Sequence, residues 1–185
     1  MSRFVCKRLP GTIRASLWRP TAARLARGDA EARRQVQIET ERLDAITGQI
    51  VDSAYKLHCG LGPGLLETVY ELVLARDLRR RGLRCASQTS VSFAYDGLRF
   101  ENCFRIDLLV ESSVIVEVKS VENLLPVHSK QLLTYLRLMD LRVGLLVNFG
   151  APTLKQGLHR IVNRMPSSAS PRLRVNQTFS PPAAR

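Results

Sequence analysis

The chain reads as an α/β protein with a mixed sheet flanked by helices. Three observations carry that expectation. Helical and strand periodicities follow one another in the order α-α-β-β-β-α-β-α. Three successive strand signals are separated by the turns Asp96-Gly97 and Glu111-Ser112-Ser113, the first of which is a strong hairpin signal. A later apolar run, Val143 to Asn148, has the length and composition of a buried strand.

Each element has its own warrant. Thr21 to Leu43 is rich in Ala, Arg and Glu and supports a helix. Ile46 to Leu57 places Ile46, Ile50, Ala54 and Leu57 at helical spacing, and the Gly60 to Gly64 stretch breaks it. Leu65 to Arg81 is a second helix, with Gly82 suited to its C-terminal cap and Arg79, Arg80 and Arg81 in the last turn, where cations favour the helix dipole. Thr89, Val91, Phe93 and Tyr95 alternate as a strand does, and Leu98 to Val110 and Val114 to Lys119 follow as strands two and three. Val127 to Met139 is expected to be a helix facing the core with Leu132, Leu133, Leu136 and Met139, and Leu154 to Asn163 is expected to be the last helix.

Composition separates the middle from the ends. The net charge is +12 over 185 residues. Residues 1–40 carry a net +6 (nine basic, three acidic), residues 164–185 a net +4 (four basic, none acidic), and 41–163 only +2 (15 basic, 13 acidic). The chain therefore divides into a basic N-terminal extension, 1–40, partly helical or disordered; a domain, 41–165; and a Pro/Ser-rich tail, 166–185, with the composition of a disordered segment. Basic ends can hold nucleic acid without sequence preference, and they are also common as solvated termini. The four cysteines form no Cys-x-x-Cys pair and no disulfide framework, which fits a reducing cytoplasm. No apolar run approaches the roughly 18 residues of a membrane span. The N-terminus has no signal-peptide core; its Arg-rich, acid-poor start is loosely like a transit peptide and more simply a basic extension.

The chemistry concentrates in Val114-Ile115-Val116-Glu117-Val118-Lys119. Strand alternation puts Glu117 and Lys119 on one face and Val116 and Val118 on the other. Asp107 lies in the preceding apolar run, and antiparallel pairing can bring it beside Glu117. Two carboxylates at close range repel, a divalent cation relieves the repulsion, and hard oxygen ligands favour Mg²⁺ or Mn²⁺. Lys119 can then orient a water or offset charge on a phosphate. A cross-strand pair of Asp107 with Lys119, with Glu117 at a sheet edge, explains the same residues without any metal. His128, Gln131 and Tyr135 share one helical stripe and suit a wall of the site, or else are exposed polar groups beside a half-buried tyrosine. Glu67, in the first turn after Gly62-Pro63-Gly64, is a further carboxylate or merely complements the helix dipole, and Tyr70 lies on its side. The glycines do not form a dinucleotide loop, since no strand precedes them. Neighbouring His58 and Cys59 do not face each other on a helix, so a Cys/His nucleophile has little support.

In combination these residues resemble a known family. Gly64-Leu65-Leu66-Glu67-Thr68-Val69-Tyr70 looks like the signature of the GxxExxY proteins, assigned to the PD-(D/E)XK nuclease superfamily. The likeness continues through Phe104 to Val110, Glu117 to Lys119, Pro126 to His128, Gln131 to Tyr135 and Leu145 to Gly150, in matching order over roughly Ile46 to Asn163. It implies a restriction-endonuclease-like fold and a metal-dependent nuclease. Asp107, Glu117 and Glu67 would hold Mg²⁺ or Mn²⁺; Lys119 would assist catalysis. Gln131 and Tyr135 match the Gln-x-x-x-Tyr of the RecB-like branch as further catalytic residues, with Tyr70 and His128 as accessory positions. Ile106 stands where the motif's proline would be. DNA is the implied partner, in repair, recombination or defence, and a homodimer is left open. The competing reading is a nuclease-fold module that binds nucleic acid or a protein without cutting.

Overall fold

The structure, a computed structural model, describes residues 22–163. The basic residues 1–21 and the Pro/Ser-rich stretch 166–185 lie outside the described residues. The chain divides into two compact units at Glu39/Thr40. Of the first, the described part is helical from Ala22, and its side chains from Ala30 to Glu39 are exposed.

The second unit contains the end of helix α1 (Ala22–Leu61), then α2 (Glu67–Arg80), β1 (Cys85–Tyr95), β2 (Leu98–Val110), β3 (Val114–Lys119), α3 (Pro126–Leu138), β4 (Val143–Asn148), the short α4 (Leu154–Gly157) and β5 (Leu158–Val162). The five strands form one sheet in the order β1-β2-β3-β4-β5. Only β3 and β4 run parallel, and α3 makes the crossover between them; the other pairs are antiparallel. The expected mixed α/β architecture is therefore the observed one, and β3 lies at the centre of the sheet rather than at its edge.

Two apolar layers sandwich the sheet. On one face Leu43, Ile46, Ile50, Ala54 and Leu57 of α1 and Tyr70, Leu74, Ala75 and Leu78 of α2 pack against Leu108, Val110, Val114, Val116, Val118, Leu145 and Val147. On the other, Leu132, Tyr135, Leu136 and Met139 pack against Val91, Ile106, Leu109, Ile115 and Leu146. Ile50, Leu74, Leu78, Leu132 and Leu136 have no exposed surface, and burying each such side chain contributes about 1.5–3 kcal/mol. A polar clasp joins the first two helices: the Ser53 hydroxyl donates to Asp77 Oδ2, and Arg81 and Lys56 pair with the same carboxylate at 3.0 and 3.5 Å. The Ser53 hydrogen bond is the main reason the Asp77 carboxyl is held below its ordinary range.

Two local expectations are overturned. The separate helices Thr21–Leu43 and Ile46–Leu57 are one helix, because no Gly or Pro interrupts Leu43 to Ile46 and the chain turns left-handed only at Gly62, φ +68°. The expected helix Leu154–Asn163 is a four-residue turn followed by strand β5. Leu154, Leu158 and Ile161 have helical spacing, but the open edge of β4 offers a ladder from Val147↔Leu158 to Val143↔Val162. Thr153 caps the short turn by accepting from Gln156 N, and Gly157 permits the switch to strand: a Cβ at that position would collide with the backbone oxygen of Asn148.

Candidate active site

The site forms where the β2–β3 ladder opens. Pairing runs Val110↔Val114, Leu109↔Ile115 and Leu108↔Val116 and ends there, one step before Asp107 and Glu117. The Asp107 side chain takes up the freed backbone donor: Val118 N donates to Asp107 Oδ2 at 2.9 Å. On the other side of Asp107, the β1–β2 pairs Ser87↔Leu108 and Thr89↔Ile106 bracket Gln88, whose φ of +53° is left-handed. Gln88, Asp107 and Glu117 thus lie at one level across three strands.

Pairing on the far side of β3 does not open. Its parallel ladder with β4 continues to Lys119↔Asn148, and Phe149 N donates to Lys119 O at 2.7 Å. The buried Asn148 side chain then pins the chain beyond Lys119, accepting from Val121 N at 3.0 Å and donating to Val121 O at 2.8 Å. Gly150 completes this joint; a Cβ there would sit 2.5 Å from Val121 O.

Among the described residues, Glu117 carries the one buried side-chain oxygen left without a partner. Its side chain is 5 % exposed, and Oε1 is buried with no hydrogen-bond partner. Oε2 lies 3.9 Å from Lys119 Nζ, a contact too long for a hydrogen bond. Burial first, and then the Asp107 charge, push the Glu117 carboxyl up to about 8, against the opposing pull of Lys119. Such a group is costly to keep ionised without a further partner.

Helix α2 passes over this row and delivers two glutamates one turn apart. Glu67 Oε1 accepts from Ser120 N at 3.0 Å, immediately after β3. Its charge also acts on Glu117. Glu71 is buried and accepts from Gln88 Nε2; burial, aided by the Asp107 charge, raises its carboxyl above the ordinary range. Sequence reasoning passed over Glu71, Gln88 and Asn148. Glu71 carried a usable signal, since it falls at i+4 from Glu67 on the same helical side. Gln88 and Asn148 carried none, because their roles depend on which strands become neighbours.

The remaining expected residues have other partners. Tyr70 is fully buried, stacks on Phe149 with centroids 4.3 Å apart, and donates its hydroxyl to Gly62 O, which anchors the loop ahead of Glu67. Gln131 Nε2 donates to the Tyr135 hydroxyl, and the Tyr135 ring stacks on Phe104 at 4.2 Å. His128 Nδ1 accepts from Leu125 N at 3.2 Å, closing the first turn of α3. The structure therefore brings Asp107, Glu117, Lys119 and Glu67 together, and gives Tyr70, His128, Gln131 and Tyr135 contacts of their own.

The donor set fits a hard divalent cation in kind. It offers carboxylate oxygens that act on one another electrostatically, one of them buried without a partner. Among the described residues no group of three or more His, Cys, Asp or Glu side chains is placed so that it could hold a metal ion. Mg²⁺ sites ordinarily keep several waters and use only one or two carboxylates.

A mixed sheet with a carboxylate fork at a strand opening and a Glu-x-Lys on the central strand defines a nuclease-like fold. The family model of the PD-(D/E)XK nuclease superfamily matches residues 44–161, well over half of the chain, and the chain belongs to that superfamily. No curated protein and no solved structure matches it.

Proposed function

We propose that this chain is a Mg²⁺- or Mn²⁺-dependent nuclease that hydrolyses DNA phosphodiester bonds, a GxxExxY protein of the RecB-like branch working in the cytoplasm in repair, recombination or defence. The nuclease domain is 41–165. The observation that carries the reading is the buried Glu117 carboxylate, with its unpartnered oxygen, beside Asp107 at the ladder opening.

Asp107, Glu117 and Glu67 would hold the cation, which when bound supplies a more acidic water and offsets charge on the phosphate. The protein supplies the positions. Val118 N fixes Asp107, the β4 ladder fixes Glu117 and Lys119, and Ser120 N fixes Glu67. Lys119, mostly buried, places a positive charge where negative charge grows on the phosphate oxygens. In the reaction a water oxygen bonds to phosphorus, one ester P–O bond breaks, and the departing oxygen takes up a proton. Gln131 and Tyr135, already hydrogen-bonded to each other, border the path of the strand, with His128 and Tyr70 shaping the surrounding loops.

The test is cleavage of single- and double-stranded DNA and of RNA by the purified full chain with Mg²⁺ or Mn²⁺. Wild type is expected to cut and Asp107→Ala to lose the cation-dependent turnover. Equal residual cleavage by both would sink the assignment. One observation favours a second reading, a binding module without turnover: residues 41–163 carry only +2, where a DNA groove would be expected to be basic. That reading expects salt-sensitive binding with no cation-dependent cleavage.

A further inference from the structure

The two edges of the sheet are built differently. An edge strand offers a row of backbone donors and acceptors without partners, and proteins ordinarily guard it with charged side chains, proline or a covering element. β5 follows that rule: it carries His159 and Arg160, and Arg160 is tied to Asp44 at 2.6 Å. β1 does not. Among the described residues it pairs with β2 alone, and its 11 residues include no charge and no proline. In a chain that is 24 % charged, an uncharged edge strand of that length reverses the usual guard. The charges opposite it, Arg99, Glu101, Arg105 and Asp107, all sit on β2, one strand in from the edge.

Helix α2 engages only the start of β1. Arg79 donates to Cys85 O at 3.1 and 2.8 Å and reaches Ser87 Oγ at 3.2 Å, and Gln88 turns toward Glu71 from a left-handed backbone. That leaves residues 89–95, the length of an ordinary strand. Here the hairpin has also outrun the rest of the sheet, since β2 stops pairing with β3 at Leu108↔Val116. Val91 and Phe104 still pack in the cluster of α3, whereas Phe93 and Phe100, stacked at 4.9 Å, and the exposed Tyr95 and Leu98 continue the apolar hairpin beyond it. A two-stranded ribbon is marginal by itself.

We propose that residues 89–95 of β1 pair antiparallel with the same residues of a second copy of this chain, joining two five-stranded sheets across a two-fold axis. Backbone bonds along a bare edge accept a further strand. In a two-fold contact residues near the axis face their own copies, so a charged strand would repel itself, and β1 has no charge to do so. A nucleic-acid strand would call for basic residues, and β1 supplies none. The contact turns the projecting hairpin into one half of a four-stranded ribbon.

The experiment is sedimentation of the purified full chain over a range of concentrations, with circular dichroism to check folding. Wild type is expected to dimerise, and Asp107→Ala to dimerise equally, so this inference and the nuclease reading fail separately. Ser90→Lys combined with Ala94→Lys should weaken the dimer by about 10-fold or more, and so should Ser90→Glu combined with Ala94→Glu, because like charges then meet across the axis. An equimolar mixture of the Lys and Glu chains should recover the dimer, which damage to the fold could not do. A wild-type monomer at every concentration overturns the inference; slow hydrogen exchange at 89–95 in that monomer would give the edge to another segment of the same chain. A dimer indifferent to both charge pairs overturns it as well. Should neither variant fold, exchange decides on wild type: the 89–95 amides are expected to be protected in concentrated solution and to lose protection on dilution, and equal exchange in the two overturns the inference.

Discussion

Without a cation, Glu117 should make this fold lose stability as pH rises. Its carboxyl titrates near 4.5 in an unfolded chain and at about 8 in the folded one. Between those values the folded state keeps a proton that the unfolded state releases, so the unfolded state gains with each step in pH. At 1.36 kcal/mol per pH unit the loss is about 2.5 kcal/mol from pH 5 to pH 7, and it levels off above pH 8. That is a large share of the ~5–15 kcal/mol that holds a domain folded. Glu117→Gln removes the titration and keeps the shape. Urea unfolding in a chelator, at pH 5 and pH 7, should show wild type losing about 2.5 kcal/mol more than the variant over that interval. The comparison must be a difference between the two proteins. Glu71, whose carboxyl is raised by burial, adds a loss of the same sign. Asp77 and Glu111 oppose it: their carboxyls are depressed, by Ser53 and by Arg84, so their contribution is lost as pH falls. All three cancel in the difference. Parallel pH profiles for wild type and Glu117→Gln would refute the claim that Glu117 is a strained buried acid.

Three further outcomes follow from the same geometry. Lys119→Met should retain Mn²⁺ binding, measured by calorimetry, yet reduce single-turnover cleavage by about 100-fold or more, the scale of losing one electrostatic stabiliser; full cleavage would remove Lys119 from the site. Asn148→Ala strips Val121 N and O of their partners and should cost about 1–3 kcal/mol in chemical denaturation, because buried backbone groups are left unsatisfied. Gly157→Ala should be destabilised by about 3 kcal/mol or more, since its Cβ meets the Asn148 carbonyl rather than a yielding side chain; a change under about 0.5 kcal/mol would show that the α4–β5 corner is not built as described.

The opening of the β2–β3 ladder explains why the site was only partly legible. Asp107, Glu117 and Lys119 stood out because charges in a Val/Ile-rich strand break the expected pattern, and strand alternation assigned Glu117 and Lys119 to one face. Glu67 stood out beside its Gly-Pro-Gly turn. Glu71 did not, because a glutamate within a helix looks solvated until its neighbours are known. Gln131 and Tyr135 fell on one stripe as expected, and the hydrogen bond between them is a property of that local spacing.

The sequence by itself determined what depends on near neighbours: the α/β class, the hairpin at Asp96-Gly97, the core stripe Ile46, Ile50, Ala54 and Leu57 of α1, Leu132, Leu136 and Met139 of the α3 stripe, and the acid-acid-base motif. Tertiary structure decided what depends on distant ones. Leu154 to Val162 satisfied a helical period, yet most of it became a strand because β4 had an unpaired edge, and backbone donors and acceptors must find partners. Asp107 was brought to β3 when pairing stopped at Leu108↔Val116 and its carboxylate took the Val118 amide. Glu117 acquired its unpartnered oxygen from burial at the sheet centre. Periodicity is a property of a segment, whereas burial and ladder ends belong to the assembled sheet.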